Sequence, residues 1–203
     1  MAGFRRLILV VATLAVGGLL FVAAPARAWE PVEQVKTYRI DGKTGAQLYE
    51  SIGVNGPVIS GDRRTIAHTT FKLTWRRDYQ NKGGDCVLAS ARPRLIITYT
   101  LPKPRGSLPA PVAQSWKRFY EGLAAHERVH GEHIIEMVQA IQDVSTGLSA
   151  QDDADCNKVR AKLQVHLKRL SDQQRQRGRD FDRRDMGPGG GIPRLVLDLV
   201  EGR

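Results

Sequence analysis

Five consecutive residues in the middle of the chain, His126-Glu127-Arg128-Val129-His130, have the spacing H-E-x-x-H. In a helix, residues four apart lie on one face, so His126 and His130 could direct two imidazoles at one metal ion. Zinc binds neutral imidazole well, and a site with three protein ligands leaves one position open for water. Glu127 would lie about 100° round the helix, within reach of that water as a general base. The motif therefore predicts a catalytic zinc ion with these two histidine ligands.

The residues around this motif have the period of one long helix. Apolar residues and histidines recur at steps of three and four from Val112 to Val144, and no proline interrupts the run after Pro111. The motif histidines lie on the stripe that should face the core, where an unpaired imidazole would be costly. A metal ion would satisfy two of them, and the alternative is a metal-free histidine cluster.

The segments before the helix predict a sheet. Residues 64–76 and 87–101 alternate between apolar and polar side chains, which is typical of antiparallel strands with one solvated face. Pro93 indicates a sheet edge or a bulge, and an exposed edge could hold an extended peptide by strand addition. A shorter strand is expected at 37–40, and a short helix at 44–52 with Thr44 as its cap and Gly53 as its stop.

The segments after the long helix predict a second helix and a flexible end. The long helix should stop at Gly147, and a second helix should run from Asp155 to Arg175. Glycines at 187–191 indicate flexibility. We therefore expect a single α+β domain, in which a small antiparallel β-sheet packs against the long H-E-x-x-H helix and the second helix.

The N-terminus points to an exported protein, and in such a protein the two cysteines are expected to pair. Residues 1–28 resemble a cleavable signal peptide, with a basic start, an apolar run and the A-x-A site Ala26-Arg27-Ala28. The apolar run is long enough that an uncleaved membrane anchor stays open. Export would permit a disulfide between Cys86 and Cys156, which would stabilise the fold by roughly 4 kcal/mol. We expect a periplasmic or extracellular location.

The charge balance restricts the classes of partner. The formal net charge is +10, and loss of residues 1–28 would remove three arginines and no acid, leaving +7. Export argues against nucleic acid as the partner. Attraction to an anionic envelope polymer or a membrane surface is the functional interpretation, while simple solubility is the alternative. A monomer that acts on a peptide or protein substrate is the expected state.

At its central motif the chain resembles the zincin metallopeptidases, and its layout resembles a narrower family. An export signal, a small β region with Cys86, a helix containing Trp116 that leads into H-E-x-x-H, and a second cysteine-bearing helix are similar to DUF922, exported bacterial proteins predicted to be zinc-dependent proteases. The resemblance covers roughly Tyr38 to Gly187. A stretch Tyr-Asp-x-x-Thr-x-His-Gly of that family resembles residues 181–187 here, where Asp182 matches its Asp. Asp185 and Gly187 replace its Thr and His.

The resemblance implies Asp182 as the third zinc ligand, although other ligands stay open. His133 and Glu136 share the long helix, but His133 lies about 4.5 Å further along its axis than His130. Three aspartates of the connector also remain candidates: Asp152, Asp153 and Asp155. Either Asp152 or Asp153 could instead cap the second helix.

We therefore expect a zincin-like metallopeptidase domain at 29–180 and a glycine-rich tail at 181–203 that completes the metal site. One Zn²⁺, with Glu127 as general base, would hydrolyse peptide bonds. Two rival hypotheses remain: an exported, non-catalytic envelope-binding protein that retains a metal site, and a metal-delivery protein.

Overall fold

Three long strands form the sheet against which the helices pack. The computed structural model describes residues 29–203, and the expected signal peptide at 1–28 lies outside the described residues. The strands, in chain order, are β1 (Val32–Ile40), β2 (Val58–Ser60), β3 (Arg63–Arg64), β4 (His68–Lys82), β5 (Asp85–Pro104) and β6 (Ser149–Ala150). The main sheet has the order β1-β5-β4, with β6 paired to the start of β5, while β2 and β3 form a separate hairpin.

The sheet is mixed, so the expectation of an antiparallel sheet is wrong for one of its long strands. β4 and β5 form the expected antiparallel hairpin, but β1 runs parallel to β5. Alternation along a strand shows which face is buried and says nothing about the direction of its neighbour. In addition, β1 is exposed along most of its length, so its residues carry little pattern.

The hairpin buries one face, as its alternation predicts. Leu73 lies opposite Leu95 on the face that the helices cover, whereas Phe71, opposite Ile97, is exposed and lines the cleft described below. Pro93 precedes the part of β5 that pairs with β1, which begins at Ile96. At this proline, β5 has a partner strand on one side only. The N–H that proline lacks therefore removes no hydrogen bond to a second strand.

In the described part of the chain, four helices complete the α+β fold: α1 (Gly45–Asn55), α2 (Ala110–Ser145), α3 (Asn157–Asp185) and α4 (Gly191–Glu201). Among residues 29–203, none of them has the length and apolar character needed to cross a membrane. Thr44 caps α1 as predicted, and its hydroxyl accepts the N–H of Gln47 at 3.2 Å. This helix continues past the expected stop at Gly53 to Asn55.

The second half of the chain is more helical than its composition indicates. α3 extends ten residues beyond Arg175, through the expected boundary between domain and tail at 180, and α4 follows the glycine run. Arg and Gln are good helix formers, and side chains four apart pair along this segment, as Gln176 does with Asp180. Ile192 and Leu199 of α4 are buried, so this helix packs against the core through one face.

The disulfide joins α3 to the sheet, as predicted. The sulfur atoms of Cys86 and Cys156 are bonded, and a small apolar cluster with Leu88, Val159 and Leu163 surrounds them.

In the larger core, Gly131 lets α2 approach the sheet closely, because a Cβ there would lie 2.2 Å from the Tyr99 hydroxyl oxygen. This contact fixes the depth of the helix one residue after the motif.

Candidate metal centre

α2 places the three motif residues together at the bottom of a cleft. His126 and Glu127 are each 5 % exposed, and His130 is half-buried. The Nε2 atoms of His126 and His130 lie 3.2 Å apart, so both imidazoles converge on one point. This is the arrangement that a helical H-E-x-x-H should produce.

α3 supplies a carboxylate at the same point. Asp182 Oδ1 lies 2.8 Å from His130 Nε2 and 3.4 Å from His126 Nε2. Among residues 29–203, these three side chains form the group whose ligand atoms are close enough to hold a metal ion. The residue that the resemblance implies as third ligand is therefore adjacent to the two motif histidines, although it is distant in sequence.

The spacing of the three ligand atoms fits zinc. Zinc with bonds of about 2.0–2.1 Å in a regular tetrahedron separates its ligand atoms by about 3.3–3.4 Å. The three separations here are 2.8, 3.2 and 3.4 Å. Two imidazoles and one carboxylate also form a donor set typical of catalytic zinc, which leaves a fourth position for water or substrate. His126, His130 and Asp182 would hold the ion.

A second aspartate orients His126. Asp185 Oδ2 lies 2.7 Å from His126 Nδ1, on the side of the ring away from Asp182. Asp185 Oδ1 also accepts the backbone N–H of Gly191 at 3.2 Å, where α4 begins. Metal-binding histidines usually donate their other N–H to such a carboxylate. Sequence reasoning noted Asp185 only as a replacement for Thr, although its spacing of three from Asp182 puts both on one helical face.

The electrostatics of the cluster follow from these hydrogen bonds. Burial of His126 opposes its protonated form, but hydrogen bonds to Asp182 and Asp185 outweigh burial and raise its pKa above the usual 6.5. Burial likewise opposes the charged form of Asp182, yet the hydrogen bonds to His126 and His130 hold its pKa well below 3.8. Both shifts favour the same charged pair, a protonated His126 beside an ionised Asp182.

An aromatic ring packs beside the histidines. Phe181 stacks on His126 with ring centroids 4.6 Å apart and meets His130 edge-on at 5.4 Å. It precedes Asp182 on α3, so residues 181–182 contribute both an apolar contact to the imidazoles and a candidate ligand. The ring restricts the rotation of both imidazoles, which favours a preformed site.

Glu127 is held by the sheet rather than by the metal ligands. The Thr69 hydroxyl, near the start of β4, donates to Glu127 Oε2 at 2.5 Å. β4 pairs with β5 only, so its other edge has no partner strand within the described part of the chain. The candidate base thus lies between the metal ligands and an open strand edge.

The site opens into a cleft of about 560 Å³. Its floor includes His126, Glu127, His130 and Asp182. One wall is the segment from β3 to the start of β4, and the other is α3. A cleft of this size between two elements can hold several residues of an extended peptide.

The other candidate ligands lie apart from this cluster. The ring of His133 is 6.4 Å from that of His130, and burial together with the nearby Arg177 lowers the pKa of His133. Glu136 forms an ion pair with Arg177. In the connector, Asp152 and Asp155 are exposed at the surface.

Asp153 has the capping role that was the alternative to ligation. Its buried carboxylate accepts the backbone N–H groups of Lys158 and Val159, both at 2.9 Å. These are two of the N–H groups that a helix start leaves unsatisfied. The aspartate therefore fixes the beginning of α3, whose other end carries Asp182.

Comparison with known proteins places the chain in a family. The family described as a bacterial protein of unknown function (DUF922) matches residues 35–190, which is most of the chain and includes all the cluster residues. No curated protein and no solved structure matches. The chain therefore belongs to the DUF922 family of bacterial proteins.

Proposed function

We propose that the protein is a zinc-dependent metallopeptidase of zincin-like architecture. The observation that supports this most is the convergence of His126, His130 and Asp182 beside a buried Glu127, at the floor of an open cleft. Structural zinc sites usually use four protein ligands, whereas three ligands next to a carboxylate suit hydrolysis. A metal-delivery protein, the rival hypothesis, would not need the buried Glu127 carboxylate beside the ligands.

In the proposed hydrolysis of a peptide bond, each residue of the site has a separate role. A zinc ion at the three ligands would supply Lewis acidity for the scissile carbonyl and would lower the pKa of water to about 7. Glu127 accepts the proton of the attacking water and returns it to the leaving amine. The Thr69 hydroxyl keeps the Glu127 carboxylate turned toward β4. Asp185 keeps the Nε2 atom of His126 directed at the ligand position.

The substrate would bind in an extended conformation along β4. This strand starts in the cleft, next to Glu127, and its free edge presents backbone N–H and C=O groups. A peptide that adds to this edge gains main-chain hydrogen bonds whatever its sequence. Its carbonyl groups would pass over the floor of the cleft, where the ligands and the base converge.

We infer that the enzyme works outside the cytoplasm. The expected signal segment at 1–28 and the Cys86–Cys156 disulfide support this inference independently, because disulfides persist in oxidising compartments. The peptide or protein substrate would then be an exported or envelope protein.

The decisive experiment compares zinc content and peptide hydrolysis in the same preparations. The mature protein should contain about one zinc per chain and cleave an unstructured protein such as casein. Glu127→Gln should keep the zinc and lose the cleavage, because it removes the base and none of the ligands. The double variant His126→Ala/His130→Ala should lose both. A protein that never binds zinc, or cleavage that survives Glu127→Gln, would refute the proposal.

A second candidate function, binding to an anionic envelope polymer, has its own supporting observation. Arg76 and Arg92 lie directly opposite each other in the β4–β5 ladder, on the face of the sheet turned away from the helices. Lys72 and Arg94 share this exposed face. None of the four has a carboxylate within 4.0 Å among residues 29–203. Like charges in opposite positions destabilise a sheet, and a bound polyanion would offset that cost.

Binding to an immobilised polyanion such as heparin tests this candidate. The intact protein should elute at higher salt than Arg76→Gln/Arg92→Gln, while Glu127→Gln should elute with the intact protein. Polymer binding together with no hydrolysis of any peptide would favour the binding protein over the peptidase.

A further inference from the structure

The two walls of the cleft both carry arginine. Arg63 and Arg64 form β3, immediately before the strand that begins beside Glu127. On the opposite wall, Arg175 and Arg179 extend from the face of α3 that carries Asp182, at the helical steps of four and three. Four guanidinium groups therefore surround a metal-ligand cluster at the floor.

Three of these four arginines keep an unneutralised charge. Arg64 donates to the carbonyl oxygen of Gly56 at 2.7 Å, and Arg179 donates to the side-chain oxygen of Gln176, but neither acceptor is charged. Within residues 29–203, no carboxylate lies within 4.0 Å of the guanidinium groups of Arg63, Arg64 and Arg179. Arg175 differs from them, because Asp172 pairs with it at 2.5 Å.

The carboxylates of the cleft do not balance these arginines. Glu127 and Asp182 are the acidic residues that line it, within the part of the chain that the structure describes. Their two negative charges would match a single divalent ion, so the arginines remain as a surplus of three positive charges. A cleft with low-dielectric walls concentrates such a field and attracts anionic groups.

We propose that the cleft selects peptides with acidic side chains within a few residues of the scissile bond. Arg63 and Arg64 receive carboxylates on one side of the bound chain, and Arg179 receives them on the other. This inference rests on the proposed peptidase function and names the substrate class of that same site. Arginine pairs with carboxylate through two parallel N–H groups, which gives geometric selectivity in addition to attraction.

The arrangement of the walls explains why the selectivity belongs to the cleft and not to the general positive charge. Arg64 is fixed by its hydrogen bond to Gly56, and α3 fixes the backbone of Arg179 next to the ligand Asp182. An extended peptide has successive side chains about 3.3 Å apart along its axis, on alternating sides. Acidic residues flanking the cleaved bond can therefore reach both walls while the carbonyl lies over the floor.

The test uses two quenched fluorogenic peptides of equal length. One carries Glu and Asp on both sides of the cleavable bond, and the other has Gln and Asn at the same positions. The zinc-loaded full chain is compared with Arg63→Gln/Arg179→Gln, which removes one charge from each wall. The control Arg39→Gln/Arg169→Gln removes the same charge from exposed positions outside the cleft.

We expect the intact protein to favour the acidic peptide at least about tenfold in kcat/KM at low salt, and less at high salt. The cleft variant should lose most of this preference, and the control should retain it. Equal rates for the two peptides, preference for the amide peptide, or an unchanged preference in the cleft variant would each overturn the proposal.

Failure of the peptidase function itself would have a different signature. The zinc-loaded protein would then cleave neither peptide. In that case, fluorescence anisotropy measures how tightly the Glu127→Gln variant binds each peptide sequence, and this comparison tests acidic recognition without cleavage. Tighter binding of the acidic peptide, lost when Arg63→Gln/Arg179→Gln is added, would support acidic recognition by the cleft. Equal binding of both peptides would overturn it.

Discussion

The carboxylate of Asp185 lies 2.7 Å from Nδ1 of His126. When Nδ1–H donates to this carboxylate, the lone pair of Nε2 is left free on the side where Asp182 and His130 converge. The hydrogen bond therefore selects the tautomer that can bind a metal ion. It also couples two helices, since His126 belongs to α2 and Asp185 to the last turn of α3.

Replacing Asp185 by alanine should weaken zinc binding by about 10–100-fold without removing a ligand. The remaining imidazole can rotate and can protonate on the wrong nitrogen. Competition with a fluorescent zinc chelator measures the affinity. Asp180→Ala is the matched control, because its carboxylate pairs with Gln176 and Arg183 on the same helix. Equal affinities for the two variants would contradict the role of Asp185.

Removing the Thr69 hydroxyl should reduce hydrolysis and leave zinc content unchanged. In Thr69→Val the Glu127 carboxylate loses its hydrogen-bond donor at nearly constant side-chain volume, and its position above the cleft floor is no longer fixed. We expect kcat to fall by about 10-fold or more. Thr69→Ser retains the hydroxyl and should recover most of the rate. A fall of equal size in both variants would indicate a packing effect instead.

Loss of the disulfide should lower the free energy of unfolding by about 4 kcal/mol. The two cysteines are 70 residues apart in sequence, so the bond restricts a large part of the unfolded chain. Urea denaturation of Cys86→Ala/Cys156→Ala, compared with the oxidised protein, measures the difference. Reductant should destabilise the intact protein and leave the double variant unchanged. A loss well below 1 kcal/mol would show that the bond has little influence on the fold.

The cap of α3 should make stability depend on pH in the acid range. Burial alone would raise the pKa of Asp153, but the N–H groups of Lys158 and Val159 outweigh it and lower the pKa below 3.8. A group whose folded-state pKa is depressed stabilises the protein above its unfolded pKa, and the effect is lost as pH falls through the folded value.

Thermal unfolding of Asp153→Asn, followed by circular dichroism, tests this dependence. The variant should melt below the intact protein at neutral pH. The difference should shrink as the pH falls below about 4, where the carboxylate of the unfolded chain is protonated, and should vanish once the native carboxylate is protonated below its depressed pKa. Asp155→Asn, at an exposed neighbouring position, should show no such difference. A gap in melting temperature that is the same at acid and neutral pH would contradict the assignment.

Local patterns were sufficient to predict the central part of the site. The H-E-x-x-H helix, its buried histidine stripe and the cap at Thr44 each depend on residues within a few positions of one another. The hairpin of β4 and β5 was likewise predictable, because alternation directly reflects burial on one face. The disulfide pair followed from the presence of two cysteines.

Features that depend on residues distant in sequence could not be predicted from local patterns. The parallel pairing of β1 depends on how the chain crosses between strands, which no local pattern encodes. Asp182 was implied by family resemblance alone, since an aspartate in a charged segment looks like any solvated residue. Asp185 and α4 were not predicted, because their roles appear only when α3 continues as a helix beyond Arg175.

The hydrogen bond from Gly191 to Asp185 links the candidate metal centre to the start of α4. His126 precedes Asp185 by 59 residues, and α4 follows both. The two histidines and their carboxylate partners therefore come together only when α2, α3 and α4 have docked on one another. A polypeptide that stops before Gly191 would keep the His126–His130 pair and lose the N–H that α4 donates to Asp185.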